Sequence, residues 1–186
     1  MSAPIEVEIK AWADDRPALE VRVRKLAELV EEVKYADTYF TYASAQGYQH
    51  QRFRLREHDG RALVTAKVPV SPTEAGANLE HEFEVSNPEA FRAFCQAFGF
   101  RVLLRKEKHC RRYRLRRPAD HPLHIELNFI PGLGDFIEVE ALVQSPEEVA
   151  AAQAEVQEVL ARLGILQTRI EPTAYTRLLY DREQRT

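Results

Sequence analysis

The sequence predicts an α+β protein in which an eight-stranded antiparallel β-barrel, closed or nearly closed, carries a charged interior and helices packed outside. Three observations carry that expectation. Eight stretches alternate at the two-residue period of a strand, helical-period segments fall between and after them, and one parity of most strands is built from full charges. All 186 residues are taken as one domain, because a 45% hydrophobic content supplies one well-buried core and the length argues weakly for two.

The first strand is expected at about 4–11, where Glu6, Glu8 and Lys10 alternate with Ile5, Val7 and Ile9. A helix is expected over 15–34, with Pro17 in its first turn and Leu19, Val23, Leu26, Leu29, Val30 and Val33 at helical spacing. Strands follow at 37–43, 49–58, 61–69 and 79–85, with a turn at His58-Asp59-Gly60. Asn87 as N-cap and Pro88 open a second helix that runs to Gly99 and presents Phe91, Phe94 and Phe98 on one core-facing stripe. Strands at 101–117, 122–130 and 135–143 come next, the last two separated by the turn Pro131-Gly132-Leu133-Gly134. A third helix opens at Ser145, where Glu148 completes a capping box, and closes at Gly164. A fourth begins after Pro172 and carries Tyr175, Leu178 and Leu179. No internal repeat, low-complexity tract or linker divides the chain.

Composition excludes several classes of function. The 26 basic and 29 acidic residues leave a net charge of -3, so no single-signed surface for nucleic acid or membrane is expected. The basic run Arg111-Arg112-Tyr113-Arg114-Leu115-Arg116-Arg117 is split between two faces by strand alternation. No apolar run reaches the length of a membrane span and the N-terminus lacks signal-peptide features, so a cytoplasmic protein is expected. Cys95 and Cys110 read as reduced thiols, and the six histidines show no zinc-site spacing.

Sorting the strands by parity shows what the two surfaces of the sheet are made of. Glu6, Glu8 and Lys10 share one face; so do Arg52, Arg54 and Arg56, then Glu80, Glu82 and Glu84. Lys106, Lys108, Arg112 and Arg114 continue the series, followed by Glu126 with Asn128, and Glu138 with Glu140. An ordinary wet face would be served by Thr, Ser or Gln. If the sheet closes with this face inward, it becomes a tunnel of opposed carboxylates and cations. Such a lining suits a triphosphate, whose oxygens match Arg and Lys while divalent cations bridge them to the carboxylates.

The pattern Glu6-x-Glu8-x-Lys10 resembles the N-terminal signature of the CYTH superfamily of triphosphate tunnel enzymes, which includes class IV, CyaB-like adenylyl cyclases and thiamine triphosphatases. The resemblance continues in order through Asp37-Thr38-Tyr39-Phe40, Arg54-Leu55-Arg56-Glu57, Lys67 before Pro69, Glu82-Phe83-Glu84, Lys108, Tyr113, and Gly132-Leu133-Gly134-Asp135-Phe136-Ile137-Glu138-Val139-Glu140. The Gly-Leu-Gly-Asp-Phe segment and the ending Glu171-Pro172-Thr173-Ala174-Tyr175-Thr176-Arg177-Leu178-Leu179 look like the CyaB-like branch, with Thr173-Ala174-Tyr175 where a Ser-Tyr is usual.

What the resemblance implies is a tunnel in which Glu6, Glu8, Glu138 and Glu140 hold Mg²⁺ or Mn²⁺, with Glu8 and Glu138 preferred. Lys10, Arg56, Lys67 and Lys108 match the triphosphate-contacting cations, strand parity adds Arg54 and Arg112, and Lys10, Glu8 and Glu138 are the expected catalytic set. Two positions depart from the family pattern. Cys110 stands where a second cation is frequent, so Arg112 or Arg114 must replace it, and Asn128 stands where cyclases commonly carry an Asp. The expected partner is a small-molecule triphosphate, ATP or thiamine triphosphate, with no nucleic acid and no membrane, and the reading leaves room for a homodimer. Three functions follow: an ATP cyclase releasing cyclic AMP and pyrophosphate, a hydrolase of thiamine triphosphate, nucleoside triphosphate or tripolyphosphate, and a non-catalytic polyphosphate-binding module.

Overall fold

The computed structural model describes residues 4–48, 51–70, 77–115 and 123–185. The strand ends expected at 49–50, 116–117 and 122, and with them Arg116 and Arg117 of the basic run, lie outside the described residues.

Eight strands form one closed antiparallel barrel: β1 (Ile5–Trp12), β2 (Ala27–Tyr42), β3 (Phe53–His58), β4 (Arg61–Pro69), β5 (Ala77–Glu84), β6 (Phe100–Leu115), β7 (Leu123–Ile130) and β8 (Gly134–Val143). Around the barrel the order is β1-β5-β4-β3-β2-β6-β7-β8. The register aligns the charged parity across neighbours: Glu8 opposite Glu140, Lys10 opposite Glu138, Glu126 opposite both Glu138 and Arg112, Asp37 opposite Arg56 and Lys106, and Lys67 opposite Glu80. Because side chains alternate, this register puts all of them on the inside.

The apolar parity therefore faces outward, and the helices cover it. Leu19 and Val23 of α1 (Arg16–Leu26), with Val149, Ala152, Val156, Val159 and Leu160 of α3 (Val149–Arg162), pack on Val7, Ile125, Leu127, Ile137 and Val139. A second core joins Phe91 and Cys95 of α2 (Pro88–Ala97) to Phe40, Leu55 and Val64. The helix starts follow the sequence signals. Asp15 and Asn87 accept from the Ala18 and Ala90 amides, each at 3.0 Å, and Glu148 accepts from the Ser145 amide at 2.9 Å. The capping box encloses a short 3₁₀ turn, Pro146–Glu148, before α3 proper.

Two expectations are corrected. The helix expected over 15–34 stops at Leu26, and β2 begins at Ala27 and pairs with β6 along its length. Helical spacing of Leu29, Val30 and Val33 was coincidental: Leu29 and Val30 are exposed, while Glu31 and Glu32 reach Arg112 and Arg111 across the strand pair at 3.7 and 3.1 Å. Cross-strand pairing outweighs local period there. The aromatic stripe of α2 is also split. Phe91 joins the core, but Phe94 and Phe98 are 54% and 67% exposed and stack on each other with centroids 4.4 Å apart. Among the described residues no helix is long and apolar enough to cross a membrane.

Candidate functional site

The barrel interior contains two differently built walls. In the first, buried acids and bases neutralise one another. Arg56 grips Asp37 with Nε and Nη2 at 2.7 and 2.9 Å, and Lys106 reaches the same carboxylate at 3.2 Å. Burial works against the charge of Asp37, yet Lys106, Arg54 and Arg56 outweigh it and hold its carboxyl well below the usual range. Next along β6, Lys108 pairs with Glu126 and, at 3.1 Å, with Glu138. Arg112 donates to Glu126 Oε1 through Nε and Nη2 at 2.9 and 2.6 Å. Burial again opposes ionisation of Glu126, and Lys108 with Arg112 still holds it well below the ordinary value.

Asn128 and Cys110 fall inside this first wall. The Asn128 amide donates to Glu138 Oε2 at 2.7 Å and to Glu126 Oε2 at 3.2 Å, so it ties two carboxylates together without adding charge. Cys110 packs with Val33 and Tyr35 in a small apolar patch of the wall. Burial, then Glu126, push its thiol far above the ordinary value, which leaves it neutral. Of the two candidates to replace a cation there, Arg112 faces the interior network and Arg114 is exposed.

The second wall is short of cations. Glu6, Glu8 and Glu140 each place a carboxylate oxygen so that all lie within 4.8 Å of one another. Lys67 serves three acids from this side: Glu6, Glu80 at 3.0 Å and Glu8 at 3.9 Å. Burial first, then Glu138, push the Glu8 carboxyl up to about 8, with Glu6 and Glu140 adding to the effect and Lys67 opposing it. Burial also raises Glu140, against a contact from His124 Nδ1 at 3.3 Å from its Oε1. Three hard oxygen donors at this separation, two of them reluctant to ionise together, fit a divalent cation of the Mg²⁺ or Mn²⁺ type.

Lys10 lies where the walls meet. Its ammonium donates to the Thr173 carbonyl oxygen and sits 4.2 Å from the centroid of the Tyr175 ring. Burial lowers its proton affinity, against the pull of Glu138 and Glu8. Thr173 and Tyr175 belong to the segment entering α4 (Tyr175–Glu183), which packs against Phe136, Ile130 and Trp12.

All the residues expected from the sequence are inward: Glu6, Glu8, Lys10, Arg54, Arg56, Lys67, Lys108, Arg112, Glu138 and Glu140. Three of the four expected metal ligands converge, whereas Glu138 Oε2 is held by Lys108 and Asn128. Arg54 donates to Thr65, which in turn donates to Glu82 at 2.9 Å. Sequence reasoning did not assign Asp37, Lys106, Glu126, His124 or Tyr175 to the site. Parity alone marks Lys106 and Glu126, and pairing β2 with β6 would have marked Asp37. Nothing local marks Tyr175, which arrives from a distant helix.

A protein of Methanocaldococcus jannaschii named "Putative adenylate cyclase MJ0240" is 25% identical over 176 residues, covering 94% of this chain and 98% of its own. The solved structure of the PH1819 protein from Pyrococcus horikoshii superposes with a TM-score of 0.78 at 24% identity, covering 95% of this chain and 98% of that one. A Hippeastrum structure, described as a "putative adenylyl cyclase" with a dominant triphosphatase activity, superposes with a TM-score of 0.61 at 15% identity over 97% of this chain and 96% of that one. The CYTH domain model matches residues 4–175, which span all eight barrel strands and end where α4 begins, and the chain belongs to the CYTH domain family.

Proposed function

We propose that the protein is a metal-dependent enzyme that draws the triphosphate of its substrate into the barrel, and that its reaction is the class IV adenylyl cyclase type, ATP to cyclic AMP and pyrophosphate. The observation that carries this reading is the facing of two walls: one whose cations come from β3 and β6, and the Glu6, Glu8 and Glu140 cluster on β1 and β8. Members of the family act on triphosphates, and the 25% identical relative carries an adenylate cyclase name.

In this reading Arg56, Lys67, Lys106, Lys108 and Arg112 exchange their carboxylate partners for phosphate oxygens, a swap of one charge-assisted bond for another, and Arg54 gives up the Thr65 hydroxyl. Glu6, Glu8 and Glu140 would hold Mg²⁺ or Mn²⁺. That ion would neutralise phosphate charge and polarise the phosphorus under attack. Glu138, fixed by Lys108 and Asn128, lies opposite Lys10 on the neighbouring strand. The Lys10 ammonium, beside Glu138 and Glu8, would offset the negative charge that builds on the phosphate oxygens as the ribose 3′-hydroxyl attacks.

The same charges would serve an attacking water molecule, and then the reaction is triphosphate hydrolysis. The experiment is to incubate the pure protein with ATP, thiamine triphosphate or tripolyphosphate and Mg²⁺ or Mn²⁺, and to separate the products. Cyclic AMP with pyrophosphate supports the cyclase; orthophosphate alone replaces it by the hydrolase. Binding without any product would reduce the protein to a polyphosphate-binding module.

A further inference from the structure

Most tunnel cations are engaged by carboxylates, but one buried donor facing them is not. Tyr175, 9% exposed, opens α4 with its ring against Lys10 Nζ at 4.2 Å and Lys106 Nζ at 4.8 Å from the centroid. Two ammonium groups that repel each other are thus held against one electron-rich ring. Phe136 backs that ring edge-on at 4.9 Å. The surrounding segment is pinned from several sides. Trp12 Nε1 donates to Glu171 at 3.1 Å, the Thr173 amide donates to the same carboxylate at 2.8 Å, and Thr176 Oγ1 donates to Gln51 at 2.7 Å.

The buried Tyr175 hydroxyl makes no hydrogen bond of good geometry among the described residues, and the carboxylate beside it, Glu138, is already held by Lys108 and Asn128. A buried tyrosine that only fills space beside Phe136 normally finds a partner for its hydroxyl, and phenylalanine would fill the same space without the loss. The two ammonium groups against its ring, Lys10 and Lys106, both attract anions. An oxyanion between those two ammonium groups would supply the missing acceptor.

We propose that Tyr175 is a substrate-contacting residue: its ring holds Lys10 and Lys106 as a pair, and its hydroxyl donates to an oxygen of the bound phosphate chain. The proposal deepens the triphosphate reading above and rests on it. Tyr175→Phe removes only the donor, and Tyr175→Leu removes the ring as well. Tripolyphosphate affinity is measured calorimetrically in EDTA, and kcat and KM are measured with Mn²⁺ and the substrate found active. Trp12, the chain's one tryptophan, reports by its fluorescence whether the C-terminal cap stays docked.

Tyr175→Phe is expected to weaken tripolyphosphate binding and raise KM roughly 10- to 100-fold with Trp12 emission and thermal midpoint unchanged. Tyr175→Leu is expected to lower kcat in addition. Equal affinity and KM in wild type and Tyr175→Phe would overturn the proposal alone. Failure of the wild-type protein to bind tripolyphosphate would overturn the triphosphate reading and this proposal with it.

Discussion

The two walls of the barrel solve the problem of buried charge in opposite ways. Along β2, β6 and β7 each acid has its base: Asp37 lies between Arg56 and Lys106, and Glu126 lies between Lys108 and Arg112. At the β1 and β8 end, Glu6, Glu8 and Glu140 share little beyond Lys67 and the His124 imidazole. The first wall is self-sufficient; the second holds more acids than bases, as the proposed cation site requires. Stability and metal binding are therefore expected to separate by position even though the same residue types build both.

The largest expected effect is on the self-sufficient wall. Glu126→Ala takes from Lys108 and Arg112 the carboxylate they share, leaving buried Lys108 with Glu138 alone and half-buried Arg112 with Glu31 at 3.7 Å, and a chemical denaturation curve should show a loss of about 3 kcal/mol. A loss under 1 kcal/mol would mean that this network is far better solvated than its burial implies. On the cation-poor wall the order reverses. Glu8→Ala removes a candidate ligand and relieves crowding with Glu6 and Glu140, so the metal-free protein should unfold no earlier than wild type. Outer-shell partners of a metal are worth roughly 10- to 100-fold, so a direct ligand should cost more than about 100-fold in metal-dependent turnover. Glu138→Ala should be equally inactive while keeping the fold. Wild-type rates in either variant would remove that residue from the site.

A smaller effect concerns pH. The folded Glu8 carboxyl titrates at about 8 against an ordinary value of 4.5, so between those limits the folded state keeps a proton that the unfolded chain has lost. Stability of the metal-free protein should fall as pH rises through that window and level off above it. Asp37 and Glu126 are shifted the other way, and their contribution is lost only at acid pH. Thermal midpoints in EDTA across this range should show the decline, and excess Mn²⁺ at pH 8 should remove it. A flat profile in EDTA would show that Lys67 alone neutralises the cluster.

Much of this contrast was legible in the sequence. Alternation in Glu6-Val7-Glu8-Ile9-Lys10 and its counterparts sets which side chains share a face, and closure of eight such strands turns that face inward. The boundary of α1 was not legible, because Leu26, Leu29, Val30 and Val33 satisfy a helical period while pairing with β6 makes the segment from Ala27 a strand. Asp37 was missed in consequence. Its role depends on lying opposite Arg56 and Lys106, which is a property of three strands and not of one. Glu138 shows the same limit from the other direction: its parity matches that of Glu140, but Lys108 and Asn128 on two other strands decide which of them is left for a metal. The exposed Phe94 and Phe98 went astray because spacing places three phenylalanines on one stripe without saying how much of it the barrel covers.

Closure of the barrel also has a kinetic side. Among the described residues the first strand pairs with β8 through eight residue pairs from Ile5–Val143 to Trp12–Phe136, and with β5 through Ile5–Leu79, Glu6–Asn78 and Val7–Ala77. Hairpins such as β3 with β4 and β7 with β8 need only short loops to form, whereas both seams of β1 bring together distant parts of the chain. Sealing the ring is therefore expected to be the last step of folding, and the seam with β5 the first to part in the native state. Amide protons shared between β1 and β5 should exchange with deuterium before those between β1 and β8. The ring would then breathe beside Glu6, at the edge of its own acidic cluster.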